Sequence, residues 1–308
     1  MNRNIAVLDL NDYLIGGEKK DNFLRMLKHE ISTKGFVILK NHGIKKELLE
    51  DMYKYMKKFF TETTLSQRLA YEYKNLGHRI GYTPMRVEKA VGAKKPDEKH
   101  FWHYRDEDMM PYVNNVPGFS ETSDKLFVSY RACAITMLRA ISETLGLPLN
   151  YFDEKEGNST MRMLHYPATN TPRESTTIGD VVVGGNSIGM CADGHSDINL
   201  ITLLPQKYPG LRLIIDGVWT PVPTVNDSII VNCGDMLQYF TNGMFISGWH
   251  EVVCPKGMDR YSIPYFSHVH EHVNIKPLPQ FGSYDPAKFP FETAGEFLDY
   301  RLKEIGLT

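Results

Sequence analysis

Apolar residues recur at helical intervals in the first half of the chain, and at strand intervals in most of the chain after Asn158. "IAVLDL" reads as a short strand. "DNFLRMLKHEIST" then spaces Phe23 or Leu24, Leu27 and Ile31 as one helical face. "GFVILKNHGI" is a continuous apolar run between Gly35 and Gly43, the mark of a buried strand. "KKELLEDMYKYMKKFF" returns to a helical stripe through Leu48, Leu49, Met52, Met56 and Phe59. A long amphipathic helix is predicted over "SDKLFVSYRACAITMLRAISETLGL", ending near Gly146 ahead of Pro148. Beyond it lie short β-rich runs: "TMRMLHY", "INLITLL", "LRLIID", "VWTPV", "DSIIVN", "FISGWHEVV" and "RYSIPYF". Turn residues separate them, and "CGDMLQYFTNG" forms a short helix or turn at a corner. This spacing predicts a mainly β core, a sandwich or jelly roll, with flanking N-terminal and central helices. No repeat or linker divides the chain, so residues 1–118 (mixed helix and strand) and 119–308 (long helix plus β core) are read as one compact unit.

Composition narrows the function classes. The 308 residues are 42% hydrophobic and 23% charged with a formal net charge of -2, which suits neither a nucleic-acid-binding field nor a disordered chain. Cys133, Cys191, Cys233 and Cys254 form no CxxC pair and are read as reduced, packed thiols. No stretch reaches the roughly 18 uncharged apolar residues of a membrane span. The chain is expected to be cytoplasmic, with no nucleic-acid or membrane partner; its oligomeric state is open.

The chemistry begins at "GHSDINLITLL". If this is a strand, His195 and Asp197 share a face by the i, i+2 rule, where a polar strand end is the plain alternative to a metal site. His250 in "FISGWHEVV" is the best third ligand on a later strand. Two histidines and one carboxylate on iron leave coordination positions open for oxygen chemistry. Ten residues later, Arg260 and Ser262 in "RYSIPYF" again share a strand face. A guanidinium and a hydroxyl there could grip a carboxylate, although an isolated arginine more often sits in a surface ion pair.

Taken in order, "GFVILKNHGI", "MRMLHYP", "GHSDINLITLL", "VNCGDMLQYFTNG", "SGWHEVV" and "RYSIPYF" resemble the Fe(II)- and 2-oxoglutarate-dependent dioxygenases of the isopenicillin N synthase-like branch. The resemblance spans nearly the whole chain and implies a double-stranded β-helix. It also implies that His195, Asp197 and His250 are the iron ligands. Arg260 and Ser262 would grip the distal carboxylate of 2-oxoglutarate, with Tyr166 hydrogen-bonded to the same group. Two positions depart from the family pattern: Leu164 stands where many relatives have Asn, and Glu251 where Arg usually follows the distal histidine. The implied reaction consumes O2 and 2-oxoglutarate, releases succinate and carbon dioxide, and oxidises a small organic molecule by hydroxylation, desaturation or ring formation. The carboxylate of Asp197 argues against halogenation, since related halogenases lack it.

Other motifs carry less. "HEVVC" lacks the second histidine of a zinc protease, and its β-branched valines favour a strand over the helix such a motif needs. "HVHEH" lacks a carboxylate partner set, and "VVVGGNSIG" lacks the Lys and Ser/Thr of a phosphate loop. Two rivals stay in view: an oxidase resembling isopenicillin N synthase that uses no 2-oxoglutarate, and a non-catalytic small-molecule sensor on the same fold. The C-terminal "FETAGEFLDYRLKEIGLT" has no glutamine to approach iron as in that synthase, which leans toward cosubstrate use. Candidate substrate residues are Arg79 and Tyr82 in "GHRIGYTP", Phe101, Trp102, His103 and Arg105 in "KHFWHYRDE", and Met190, Phe266 and His268. The basic members would suit an anionic substrate.

Overall fold

The computed structural model describes residues 4–88, 97–106, 109–168, 182–183, 186–255, 257–283, 285, 287 and 289–305. Strand β1 (Val7–Asp9) leads into helices α1 (Leu10–Ile15) and α2 (Gly17–Thr33), then β2 (Phe36–Lys40) and α3 (Lys46–Lys57). A π-helical turn over Lys58–Glu62 extends α3 and is followed by α4 (Leu65–Leu69), β3 (Gly81–Thr83) and β4 (His100–Tyr104). After the long α5 (Phe119–Thr144) come β5 (Thr160–Tyr166), β6 (Val182–Val183), β7 (Asn186–His195), β8 (Ile201–Pro205), β9 (Leu211–Ile215), β10 (Val218–Pro221) and β11 (Ser228–Cys233). The chain ends with α6 (Asp235–Phe240), β12 (His250–Pro255), β13 (Arg260–Ser262), β14 (Tyr265–Ser267) and α7 (Ala294–Ile305).

Two sheets face each other. The larger runs β1-β2-β11-β8-β14-β5-β4-β3, with β13 also paired to β5; the smaller runs β10-β9-β12-β7-β6. Together they form the double-stranded β-helix expected from the sequence. Helices α2, α3 and α5 cover the outer face of the larger sheet. The run "FVIL" in β2 shows why it reads as continuously apolar. Val37 and Leu39 enter the core beneath the helices, while Phe36 and Ile38 enter the core between the sheets, so both faces are buried.

Where the sequence reading differs, the sheets supply the reason. "GHSDINLITLL" is not one strand: His195 ends β7 in the smaller sheet, β8 starts at Ile201 in the larger one, and residues 196–200 cross between them. "FISGWHEVV" becomes a strand only at His250, and "RYSIPYF" breaks between β13 and β14, where the Pro264 carbonyl accepts from the Arg162 N–H. The cysteines also need correction. Cys191 and Cys254 lie on the antiparallel neighbours β7 and β12 with Cα atoms 5.8 Å apart and form a disulfide, whereas Cys133 and Cys233 are buried and free. A separation of 63 residues gives no sequence spacing from which that pairing could be read.

Alternation along β4 and β5 sorts side chains between two environments. His100, Trp102 and His165 point toward the helices. There a chain of hydrogen bonds links Tyr82 Oη to His100 Nδ1 (3.0 Å), His100 Nε2 to His165 Nδ1 (2.7 Å) and His165 Nε2 to Asp259 Oδ1 (3.1 Å). Burial keeps both rings neutral, and because the carboxylate can only accept, each link then donates toward Asp259. Burial pushes His100 down to about 3, helped by the neighbouring His165, and burial also lowers His165. These rings are therefore harder to protonate in the folded state than in the unfolded chain. They cost the fold nothing above the unfolded value. As pH falls below it the unfolded chain takes up protons first, and stability drops by about 1.4 kcal/mol for each tenfold weakening of the folded ring's proton affinity. The thermal unfolding midpoint should accordingly drop from pH 6.5 toward pH 4. His100→Gln, which cannot titrate, should flatten that decline in a series of melts across this range.

Candidate active site

His195 and His250 face each other across the β7–β12 ladder as register partners, with ring centroids 4.4 Å apart. Asp197, in the crossing segment, sets Oδ1 4.0 Å from His195 Nε2 and 3.8 Å from His250 Nε2. One donor atom from each of the three residues lies within 4.8 Å of the others, the size of a single metal site. The three residues named from the sequence do converge, but by a different route. Asp197 joins the histidines because the chain turns between sheets, not because it shares a strand face with His195.

The orientation of each ligand is fixed by a neighbour. His195 Nδ1 donates to the Asp193 carbonyl at 2.7 Å and His250 Nδ1 to the Gly248 carbonyl at 3.0 Å, so each Nε2 keeps its lone pair for a metal. Burial and the adjacent His250 push His195 down to about 4, leaving the ring neutral at pH 7. Asp197 Oδ2 accepts from Thr202 Oγ1 at 2.6 Å and from Asn232 Nδ2 at 2.7 Å, which turns Oδ1 toward the histidines. Burial raises its pKa, but the two histidines and these two hydrogen bonds outweigh burial and hold the carboxyl below its usual range. Neither Thr202 nor Asn232 stood out in the sequence, since nothing in an apolar strand marks which polar residue meets a distant carboxylate. Thr202→Val should weaken Fe(II) binding about 10- to 100-fold with little change in melting temperature, measured by metal titration. At Gly248 an added Cβ would collide with the Phe36 ring, which packs edge-on against His250 at 5.7 Å. Gly248→Ala should therefore displace His250 and weaken iron binding in the same titration.

A chamber behind the triad is lined by His195, Asp197, His250, Tyr166, Arg260 and Ser262, among others. Arg260 opposes Tyr166 and Ser262 opposes Leu164 in the β13–β5 ladder, so the guanidinium and hydroxyl share a face as expected. Arg260 is only 6% exposed, yet its Nε and Nη1 have no hydrogen-bond partner among the described residues. Its charged group lies 5.5 Å from the Tyr166 ring centroid. A buried, unpaired guanidinium is costly unless an anion meets it. With a two-histidine, one-carboxylate set at the other end of the chamber, the residues fit both Fe(II) and a dianionic keto acid. Glu251 does not disturb this arrangement: it is fully buried and pairs with Arg212 of β9 at 2.7 Å.

A second, outer cavity opens from the same triad. His103, Arg105, Phe266 and His268 line it, and Arg79 lies at its edge, paired with Glu271 and Asp299. Two candidates belong elsewhere: Tyr82 and Trp102 point to the helical side of the larger sheet and pack on Phe59. The alternation that puts Phe101 and His103 on the cavity face excludes Trp102 between them. Phe101 is on the cavity face but covered, with the Arg162 guanidinium 4.5 Å from its ring centroid. The Met190 side chain lies outside the described residues. Sequence reading missed three charges of this wall: Glu88 and Lys99, which are buried, and Arg162, which is half-buried in the apolar run of β5; none stands at a position whose periodicity marks it as paired.

A double-stranded β-helix with a two-histidine, one-carboxylate group and a buried arginine in the chamber beside it fits the class of mononuclear non-haem iron oxygenases. Comparison with known proteins takes this further. Residues 157–269 match the 2OG-Fe(II) oxygenase superfamily, and residues 5–119 match the N-terminal region described as non-haem dioxygenase in morphine synthesis. Protein DMR6-LIKE OXYGENASE 2 of Arabidopsis thaliana is 30% identical over 280 residues, covering 90% of this chain and 76% of that protein. A full-length Neurospora crassa protein, solved in complex with alpha-KG, superposes with a TM-score of 0.81 at 26% identity over 98% of both chains. A 2OG-Fe(II) oxygenase family protein from Caulobacter crescentus gives 0.81 at 29% identity, over 97% of this chain and 98% of that one. The chain belongs to the 2OG-Fe(II) oxygenase superfamily, in its isopenicillin N synthase-like branch. It is an oxidoreductase that uses Fe(II) and 2-oxoglutarate and acts on a small molecule. Among the described residues no helix is long and apolar enough to cross a membrane.

Proposed function

We propose that this chain hydroxylates a small organic molecule. In this reading His195 Nε2, Asp197 Oδ1 and His250 Nε2 hold Fe(II), and Arg260, Ser262 and Tyr166 hold the distal carboxylate of 2-oxoglutarate. Bound Fe(II) would supply O2 activation coupled to oxidative decarboxylation of 2-oxoglutarate, giving succinate and carbon dioxide and removing a substrate hydrogen. The protein's own work is placement. Thr202 and Asn232 keep Asp197 Oδ1 on the metal side, and the Asp193 and Gly248 carbonyls keep both histidines in the metal-binding tautomer. Arg260 fixes which end of the cosubstrate points inward, and the apolar wall of Phe101, Leu164 and Tyr166 keeps water from the chamber. The substrate would enter through the outer cavity past Arg105, His103, Phe266 and His268.

The observation that carries this reading is the orphaned Arg260 guanidinium sharing a chamber with the metal-ligating triad. Cosubstrate use is favoured over the oxidase alternative by the family and by the alpha-KG complex of the Neurospora relative. Residues 1–118 and 119–308 work as one unit in this proposal, because β1 to β4 complete the sheet that carries Arg260. The site is proposed to operate in the cytosol, where Cys133 and Cys233 would stay as thiols and the Cys191–Cys254 bond would be open to reduction. The test is product analysis: purified protein with Fe(II), O2 and 2-oxoglutarate should release succinate, in step with oxygen uptake once a substrate is supplied. Oxygen uptake that proceeds at the same rate with no 2-oxoglutarate would overturn it.

A further inference from the structure

The chamber holds a second buried cation for which the reading above has no use. In the β4–β5 ladder His100 opposes His165, so Lys99, one residue earlier, comes level with Tyr166. Arg260 opposes Tyr166 from the other side. Lys99, just ahead of β4, thus continues a row with Tyr166 and Arg260, and all three line the inner chamber. The next row is Phe101, Leu164 and Ser262, whose centre is apolar.

Lys99 is 9% exposed and lines both the inner chamber and the outer cavity. Its Nζ donates to Glu88 Oε2 at 2.8 Å and to Asp97 Oδ2 at 2.9 Å. Glu88 is itself held by Arg162 at 3.1 Å, and Arg162 donates Nε–H to His103 Nε2 at 2.6 Å. An ammonium has three donors, so this scaffold pins the lysine and, among the described residues, leaves one donor uncommitted. Burial disfavours the charge, but Glu88 and Asp97 outweigh burial and keep Lys99 protonated. The result is a rigid cation at the seam between the two cavities. A lysine serving only to tie its own segment to β5 would not need to face both cavities.

We propose that Lys99 is a second contact for the cosubstrate: its remaining N–H donates to a carboxylate oxygen of bound 2-oxoglutarate, complementing Arg260. The inference rests on the placement of 2-oxoglutarate in the inner chamber. It assigns the polar contact absent at Leu164 to the residue just ahead of β4.

Calorimetric titration of 2-oxoglutarate into the Mn(II)-loaded full-length protein tests it without turnover. Lys99→Met removes the ammonium that Glu88 and Asp97 share while Arg162 stays on Glu88, so a paired variant, Lys99→Gln with Asp97→Asn, is measured beside it as an amide replacement that needs no charge. Each variant is scored only if it melts cooperatively. In a folded variant the Kd for 2-oxoglutarate should rise at least about tenfold, about 1.4 kcal/mol, while Mn(II) affinity stays within about twofold. A 2-oxoglutarate Kd within about twofold of wild type in a folded variant overturns the assignment to Lys99. Arg260→Met serves as the control. If wild type binds no 2-oxoglutarate, the cosubstrate reading itself has failed; if wild type binds and only Arg260→Met is impaired, Lys99 alone is excluded.

Discussion

Asp197→Ala should lose Fe(II) binding by well over ~100-fold and with it all succinate production. Loss of a single group that merely orients a ligand costs about 10- to 100-fold, and here the ligand itself is removed. The substitution also strands Thr202 Oγ1 and Asn232 Nδ2, which both donate to Asp197 Oδ2 in a buried setting. Some loss of stability in the metal-free protein should therefore accompany the loss of metal, at about 1–3 kcal/mol for the unsatisfied donors. Asp197→Asn separates the two effects. The amide keeps an oxygen for one donor and close to the native volume, so the metal-free melting temperature should recover more than metal affinity does. Metal titration and thermal melts on the two variants check this directly. Iron affinity in Asp197→Ala within a few-fold of wild type would remove Asp197 from the ligand set.

Arg260→Met should raise the Kd for 2-oxoglutarate by at least about 30-fold and leave iron binding near wild type. Removing one partner of a buried, hydrogen-bonded charge pair costs about 2–5 kcal/mol, and each 1.4 kcal/mol is a factor of ten. Stability should move the other way. In the ligand-free protein Arg260 is buried with Nε and Nη1 unpaired among the described residues, and burial lowers its pKa despite the nearby phenols of Tyr166, Tyr53 and Tyr208. Replacing an uncompensated buried charge with an apolar side chain of similar length should leave the metal-free protein as stable as wild type, or more so. Arg260→Lys should recover only part of the affinity, because a point charge lacks the planar fork that engages two carboxylate oxygens together. A variant that binds 2-oxoglutarate normally would contradict the anchor role, whatever its turnover.

The sequence carried much of this picture where chemistry coincides with a periodic pattern. Arg260 and Ser262 could be placed on one face because β13 is a true strand with strict alternation. The helical stripe of Leu48, Met52, Met56 and Phe59 and the two-sided burial of β2 were readable for the same reason. Legibility failed where position depends on how the sheets meet. Asp197 reaches the histidines through a segment that crosses between sheets, so the strand rule put it beside them with an incorrect geometry. Trp102 and Tyr82 looked like pocket residues because basic and aromatic side chains cluster around them, but one step of alternation sends them to the helices. Lys99 and Glu88 carry charges that composition would place on the surface, and only tertiary contact shows them buried together. The Cys191–Cys254 pair depends on the register of two strands far apart in the chain.

One measurement bears most directly on the claim that His195, Asp197 and His250 hold a ferrous ion within reach of a keto acid anchored by Arg260. It is the visible absorption of the anaerobic Fe(II)-loaded protein titrated with 2-oxoglutarate. The account predicts a charge-transfer band that saturates with one equivalent of 2-oxoglutarate in wild type, vanishes in Asp197→Ala, and needs far higher concentrations in Arg260→Met. Wild-type protein that binds iron but develops no band at any 2-oxoglutarate concentration would contradict it.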